Sequence, residues 1–220
     1  MTNLVIAMDG PSGSGKSSTS KGVAEKLGLD YLDTGSMYRA FTLYGLENNV
    51  EADDEKQVQK AIEKIVLELI TDPKDFRVRL NGKDVTAKLH SPDISGSVSK
   101  YARIQPIRDF LTAQMRETIK NSGRIVVEGR DITTVVAPDA QLRVLLVADP
   151  QKRVARRAAQ VAEAADLETV TEQVIGRDEA DSKVNEFIKP APGVELLDNS
   201  DLSLQEVIEK VISLVPGDLL

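Results

Sequence analysis

Residues 9–18 read DGPSGSGKSS and follow directly on the apolar run LVIAMD of residues 4–9. A strand that ends in glycines and a lysine, with helical spacing beyond, is the layout in which backbone N–H groups meet phosphate oxygens at a helix N-terminus. Gly10, Pro11, Ser12, Gly13, Ser14, Gly15, Lys16 and Ser17 satisfy the pattern G-x-x-x-x-G-K-[ST], and Ser18 is next in line. Each residue type has a task there. The glycines let the main chain approach the phosphates of a nucleotide without a side chain in between. Lys16 reaches the β- and γ-oxygens, and the Ser17 hydroxyl suits Mg²⁺. The alternative, a glycine-rich turn with a solvated lysine, does not account for strand, glycines, lysine and serine together.

Outward from this loop, Val23, Ala24 and Leu27 continue a helix that Gly28 stops. YLD at 31–33 reads as a second strand, Met37, Phe41 and Tyr44 as one face of a helix, and residues 52–65 as a more charged helix. Between residues 66 and 87 the segments VLELI, FRVRL and KDVT, separated by TDPKD and NG, predict a small antiparallel β-hairpin insert. A helix follows over 106–120, then the strands RIVVEG (124–129) and LRVLLVA (142–148). Asp149-Pro150 opens a helix running toward Glu163, and a further helix is expected over 168–181. VELLD supplies a last strand, and Ser203 with Glu206 makes a capping box for the final helix. The alternation predicts an α/β P-loop fold of three layers, with a five-stranded parallel sheet flanked by helices. A chain of 220 residues is expected to form one such domain, 1–220.

The composition is that of an ordinary globular chain, 41% hydrophobic and 29% charged, and the sequence contains no cysteine, which excludes disulfides and thiolate metal sites. The start resembles no secretory signal and no apolar run reaches membrane-spanning length, so a cytoplasmic protein without membrane association is expected. With 28 basic against 35 acidic residues the formal charge is -7, which opposes general binding to nucleic acid. An anionic ligand therefore needs a local basic cluster. Arg153, Arg156 and Arg157, at i, i+3 and i+4 on one helical face, form one.

Two further stretches narrow the chemistry. YLDTGSMYR places Asp33, Thr34, Tyr38 and Arg39 at the carboxyl end of a strand, and VVEGRDITTVVAPDA places Arg130 and Asp131 likewise. With the phosphate loop, RVARRAAQ and GRDEADS in spaced order, the sequence resembles bacterial cytidylate kinases over nearly its full length. The resemblance implies transfer of the ATP γ-phosphoryl group to CMP or dCMP, with Mg²⁺ as cofactor. It makes residues 34–122, with the insert at about 66–87, a monophosphate-binding region, and 150–183 a helical lid. Thr34, Tyr38, Arg39 and Arg130 are then contacts to the acceptor phosphate, Ser99, Arg108 and Asp131 face the base, and Arg177 and Asp181 hold the ribose. Lys16, Arg130, Arg153 and Arg157 carry the catalytic charge, and Ser17 and Asp33 serve the metal. A carboxylate at Asp131 suits cytosine, whose exocyclic amino group donates where uracil presents an acceptor.

The chain departs from the family pattern twice. After Asp181 it reads Ser-Lys-Val-Asn and lacks the arginine common there, with Lys183 or Val184 near its place; Thr133-Thr134 stands where Gly-Thr is frequent. A lysine offers a point charge rather than a planar fork, which bears on how the acceptor is held. A monophosphate acceptor is already anionic near neutral pH, so alignment and charge neutralisation carry the catalysis. His90, the one histidine, has no motif partner and is expected to be structural or at the surface. A switch GTPase would need a guanine-selecting NKxD, which is missing, and a kinase acting on a hydroxyl acceptor of the shikimate or gluconate type would leave the YR and EGRD pairs without a task. A noncatalytic nucleotide-binding module would leave the acceptor and lid arginines unexplained. A monomer acting on small molecules is expected.

Overall fold

The computed structural model describes residues 3–161 and 189–220. LVIAMD forms the central strand. β1 (Leu4–Asp9) pairs in parallel with β6 (Arg124–Gly129) on one side and β7 (Leu142–Val147) on the other, and β2 (Asp30–Asp33) and β8 (Glu195–Asp198) are the edges. All five strands run the same way, as helices covering both faces require, and their inner residues are apolar on both sides. Leu4, Ile6, Met8, Val126 and Val144 face one core with α1 (Lys16–Leu27) and the last helix, α7 (Leu204–Ser213). Ala7, Ile125 and Val127 face the other, with α2 (Thr34–Glu47), α3 (Glu55–Lys64), α4 (Pro92–Ala102) and α5 (Gln105–Ser122).

The expected insert is a separate antiparallel sheet of three strands, β3 (Leu67–Ile70), β4 (Arg77–Leu80) and the two-residue β5 (Lys83–Asp84). Asn81 and Gly82 make its tight turn with φ of 49° and 76°, the left-handed pair that an Asn-Gly hairpin demands. Helix starts follow their caps. Asp54 accepts from the N–H groups of Lys56 and Gln57, so α3 begins at Glu55 rather than at residue 52. Ser203 and Glu206 form the reciprocal capping box of α7. Asp149 accepts from Gln151 and Lys152 and opens α6 (Pro150–Val161). The helix expected over 168–181 lies outside the described residues. Among the described residues no helix is long and apolar enough to cross a membrane.

The topology decides where a ligand goes. From β1 the chain moves to β2 at one edge, returns to β6, then crosses β1 to β7 and β8. The crevice beyond the carboxyl ends of β1 and its neighbours is the switch point of the sheet. The glycine loop, the Asp33 turn and the Gly129–Asp131 turn all leave the sheet there.

Candidate active site

Residues 10–15 carry the chain from β1 into α1. Gly13 and Gly15 have φ of 72° and 87°, and a Cβ on Gly10 would lie 2.3 Å from the Leu146 carbonyl oxygen of β7. Only glycine fits these places. Gly15 is the N-cap residue of α1 and no side chain caps that end, so the first turn presents its positive end to the crevice. The loop is braced from behind. Asn199, just past β8, donates from Nδ2 to the Ser14 carbonyl at 2.7 Å, and the Arg156 guanidinium donates to Asn199 at Oδ1 (3.0 Å) and at its carbonyl (2.9 Å). Arg153, expected as a lid group, is buried at the base of α6, where it donates to the Ser12 carbonyl at 2.8 Å. Lys16 Nζ folds over the loop to within 3.4 Å of the Pro11 carbonyl. The Arg157 side chain, Arg177, Asp181, Lys183 and Val184 lie outside what is described.

Oxygen ligands gather beside Ser17. Ser17 is an exposed residue whose side chain hydrogen-bonds to Glu128, the buried acid near the end of β6, which also accepts from the Tyr31 hydroxyl at 2.7 Å. Burial pushes the Glu128 carboxyl up to about 7, and the negative charge of Asp33 acts in the same direction, while Lys16 opposes both. Asp33 caps α2, with its two oxygens accepting from the Ser36 N–H (3.1 Å) and hydroxyl (2.6 Å). Among the described residues no group of three or more acidic, histidine or cysteine ligands could hold a metal ion. A hydroxyl and two carboxylates at a phosphate loop are nevertheless the hard oxygen set that suits Mg²⁺, which takes much of its coordination from phosphates and water.

A second cluster stands across the crevice. Arg108 on α5 donates from Nη2 to Asp131 Oδ2 at 2.6 Å, and the two side chains are 14% and 10% exposed. Burial raises the Asp131 carboxyl, and Arg108 is the strongest influence holding it down. Tyr38, on the first turns of α2, is close enough to this pair to feel both charges; its burial pushes the hydroxyl up to about 12. Arg39 is buried one residue on, with Nη1 near the Gly35 carbonyl, and Thr34 donates its hydroxyl to the Glu128 carbonyl at 2.8 Å. Arg130 is half-buried between these groups in the chain. Ser99 is half-buried in the last turn of α4. His90 lies in an exposed turn.

Three buried polar residues of this region were assigned no role from the sequence: Asp9 and Glu128, although they open the DGPSGSGKSS and EGRD stretches, and Asn199, which lies in no motif. Asp9 accepts from the N–H of Ile132 (2.9 Å) and from both the N–H (2.8 Å) and hydroxyl (2.6 Å) of Thr133. The available signal was positional: Asp9 ends an apolar strand and Glu128 nearly ends another, where an acid has no reason to be buried except to hold something.

The pattern that defines the family described as Cytidylate kinase matches residues 6–217. Proteins named cytidylate kinase from Cutibacterium acnes and Streptomyces griseus are 52% and 42% identical to the chain over 217 and 219 residues; each alignment covers 98% of this chain, and 97% and 94% of the respective relative. The crystal structure of an uncharacterized protein from Eubacterium ventriosum, 10% identical, shares the fold with a TM-score of 0.55 and covers 98% of this chain and 99% of its own.

Proposed function

The chain belongs to the cytidylate kinase family, and from that premise we propose that it transfers the γ-phosphoryl group of ATP to CMP or dCMP, giving CDP or dCDP and ADP. The observation that supports this most is the Arg108–Asp131 pair, buried on the acceptor side of the crevice. Cytosine offers two acceptors, N3 and O2, and one amino donor, N4; a guanidinium beside a carboxylate is the complement of that edge. Uracil reverses two of the three, with N3–H facing the guanidinium and O4 facing the carboxylate. A site built for one pattern rejects the other strongly, because its buried polar groups are left unpaired.

On the donor side, Gly10 to Ser18 hold the triphosphate and Lys16 neutralises the transferring oxygens. Ser17, with Glu128 and Asp33 behind it, would hold Mg²⁺, which when bound would supply charge neutralisation at the transferred phosphate. On the acceptor side, residues 34–122 with Arg130 form the monophosphate site, in which Arg39, Arg130, Tyr38 and Thr34 hold the phosphate and Ser99 joins the base contacts. Arg153 contributes by fixing the Ser12 carbonyl, hence the shape of the loop, while Arg157 and the rest of 150–183 close over the transferred group. Arg177 and Asp181 take the ribose. No strong base enters, since the attacking phosphate oxygen is already negative.

The test is ADP release with MgATP and CMP, dCMP, UMP, AMP, GMP or shikimate as acceptor. CMP and dCMP are expected to exceed every other acceptor in kcat/KM by two orders of magnitude or more. Preferred turnover of UMP, AMP or shikimate refutes the reading.

A further inference from the structure

Asp131 ends the strand-to-turn passage after Gly129 and is itself the N-cap residue of a short turn, Ile132–Val136, whose carbonyl-to-amide bonds span five residues. The Asp131 carbonyl accepts from Val136 and that of Ile132 from Ala137. Such a turn leaves the N–H groups of its first residues without partners inside it. An aspartate in the N-cap position ordinarily bends its own carboxylate back to satisfy them. Asp131 makes no such bond. Asp9, from the end of β1, instead accepts from the N–H groups of the first two residues, Ile132 and Thr133, and binds the Thr133 hydroxyl as well. The cap is thus supplied by another strand, and the Asp131 carboxylate points instead to Arg108.

We propose that Asp9 and Thr133 are positioning residues for base selection: by capping the 132–136 turn in place of Asp131, they keep the Asp131 carboxylate turned toward Arg108 and the cytosine edge. This rests on the reading of Asp131 as the base-reading group. The rest of the turn is held just as firmly. Arg143 of β7 donates to the Thr133 carbonyl at 3.2 Å, and Arg116 of α5 donates to the carbonyls of Val135 (2.7 Å) and Val136 (3.3 Å). Those contacts fix the backbone of the turn. Of the two N–H groups that an N-cap side chain seeks, those of Thr133 and Thr134, Asp9 takes the nearer, that of Thr133. Asp9 also adjoins Gly10, so the strand end that starts the phosphate loop fixes the base reader at the same time.

The experiment compares Thr133→Val, Thr133→Ser, Asp9→Asn and Asp131→Ala with the unaltered enzyme. It measures dissociation constants for CMP and UMP, kcat and KM for CMP, UMP and ATP, and thermal stability. Thr133→Val keeps the volume and deletes one donor to Asp9. Asp9→Asn presents a donor to a donor at one of its two oxygens. Both are expected to lower the CMP-over-UMP ratio about five- to tenfold, chiefly through CMP affinity, while Thr133→Ser retains the original ratio. Where Asp9→Asn does not fold, the Thr133 pair decides. A purely structural role predicts lower stability with an unchanged ratio, and that result, alongside a ratio that collapses in Asp131→Ala, overturns the proposal alone. A ratio that survives Asp131→Ala overturns the base-reading assignment and this proposal with it.

Discussion

Replacing Arg108 with methionine keeps an apolar stem of similar length and removes the guanidinium that lies 2.6 Å from Asp131. Both side chains are largely buried, so the carboxylate left behind has little water to turn to, and deleting one member of such a pair costs about 3–5 kcal/mol. The carboxyl has one way to reduce that penalty, which is to take up a proton. Burial already raises its pKa and Arg108 is the main influence opposing the rise, so the substitution shifts it further upward. Protonation keeps the stability loss near the lower end of the range. It also changes the chemistry of recognition, because a neutral carboxyl donates to the O4 of uracil as readily as it accepts from the N4 of cytosine. Two charge-assisted hydrogen bonds to cytosine are weakened at once, each worth about 1.5–3 kcal/mol, so the CMP-over-UMP ratio of kcat/KM should fall by about 10²-fold or more. The assay is that ratio at pH 6, 7 and 8, with urea unfolding at each pH. In the variant the ratio should climb with pH as Asp131 ionises. A variant with the original ratio and no pH dependence would refute the pairing of this carboxylate with the base.

Gly10→Ala puts a Cβ 2.3 Å from the Leu146 carbonyl oxygen; ordinary C···O contact is about 3.3 Å, so loop and β7 must part by about 1 Å. A displacement of that size at a reacting centre lowers kcat about 10²-fold, whereas unaltered kinetics would mean the loop is not held against β7. Asn199→Ala removes the donor to Ser14 and the anchor of Arg156; KM for ATP should rise about tenfold with that for CMP little changed, and the reverse pattern would place Asn199 on the acceptor side. Glu128 titrates near 7 in the folded chain because it is buried, against about 4.3 in an unfolded one. The stability it contributes is therefore complete below about pH 4 and lost as pH rises through about 7. In metal-free urea titrations from pH 4.5 to 7.5, Glu128→Gln should remove that downward component; identical pH profiles for the two proteins would mean that Glu128 ionises freely.

The sheet and the phosphate loop were legible because local rules and global topology agree on them. LVIAMD, RIVVEG and LRVLLVA are apolar runs of strand length, and glycines with a lysine after the first admit one loop chemistry. The Asn81-Gly82 hairpin and the Ser203–Glu206 box were legible for the same reason, since each motif states its own backbone geometry. Less was readable where the determining contact is distant in sequence. The helix Pro92–Ala102 holds Gly96 and three serines, Ser95, Ser97 and Ser99, poor helix formers whose helix depends on packing Ile94, Val98 and Tyr101 into the core. Thr133 to Val136 is a β-branched run that by propensity favours a strand, yet Asp9, 124 residues earlier than Thr133, makes it turn. Arg153 sits with two other arginines on a helical face, and only the folded structure turns it inward to Ser12. Such choices arise from tertiary partners, which periodicity does not record.

The most direct measurement is a crystal structure with CMP bound. The account predicts the pyrimidine ring in the crevice beyond β6, its N4 within hydrogen-bonding distance of Asp131 and its N3 or O2 within that of Arg108, with the phosphate turned toward Arg39 and Arg130. A ring lodged away from Arg108 and Asp131, with those two side chains still paired only to each other, would contradict it.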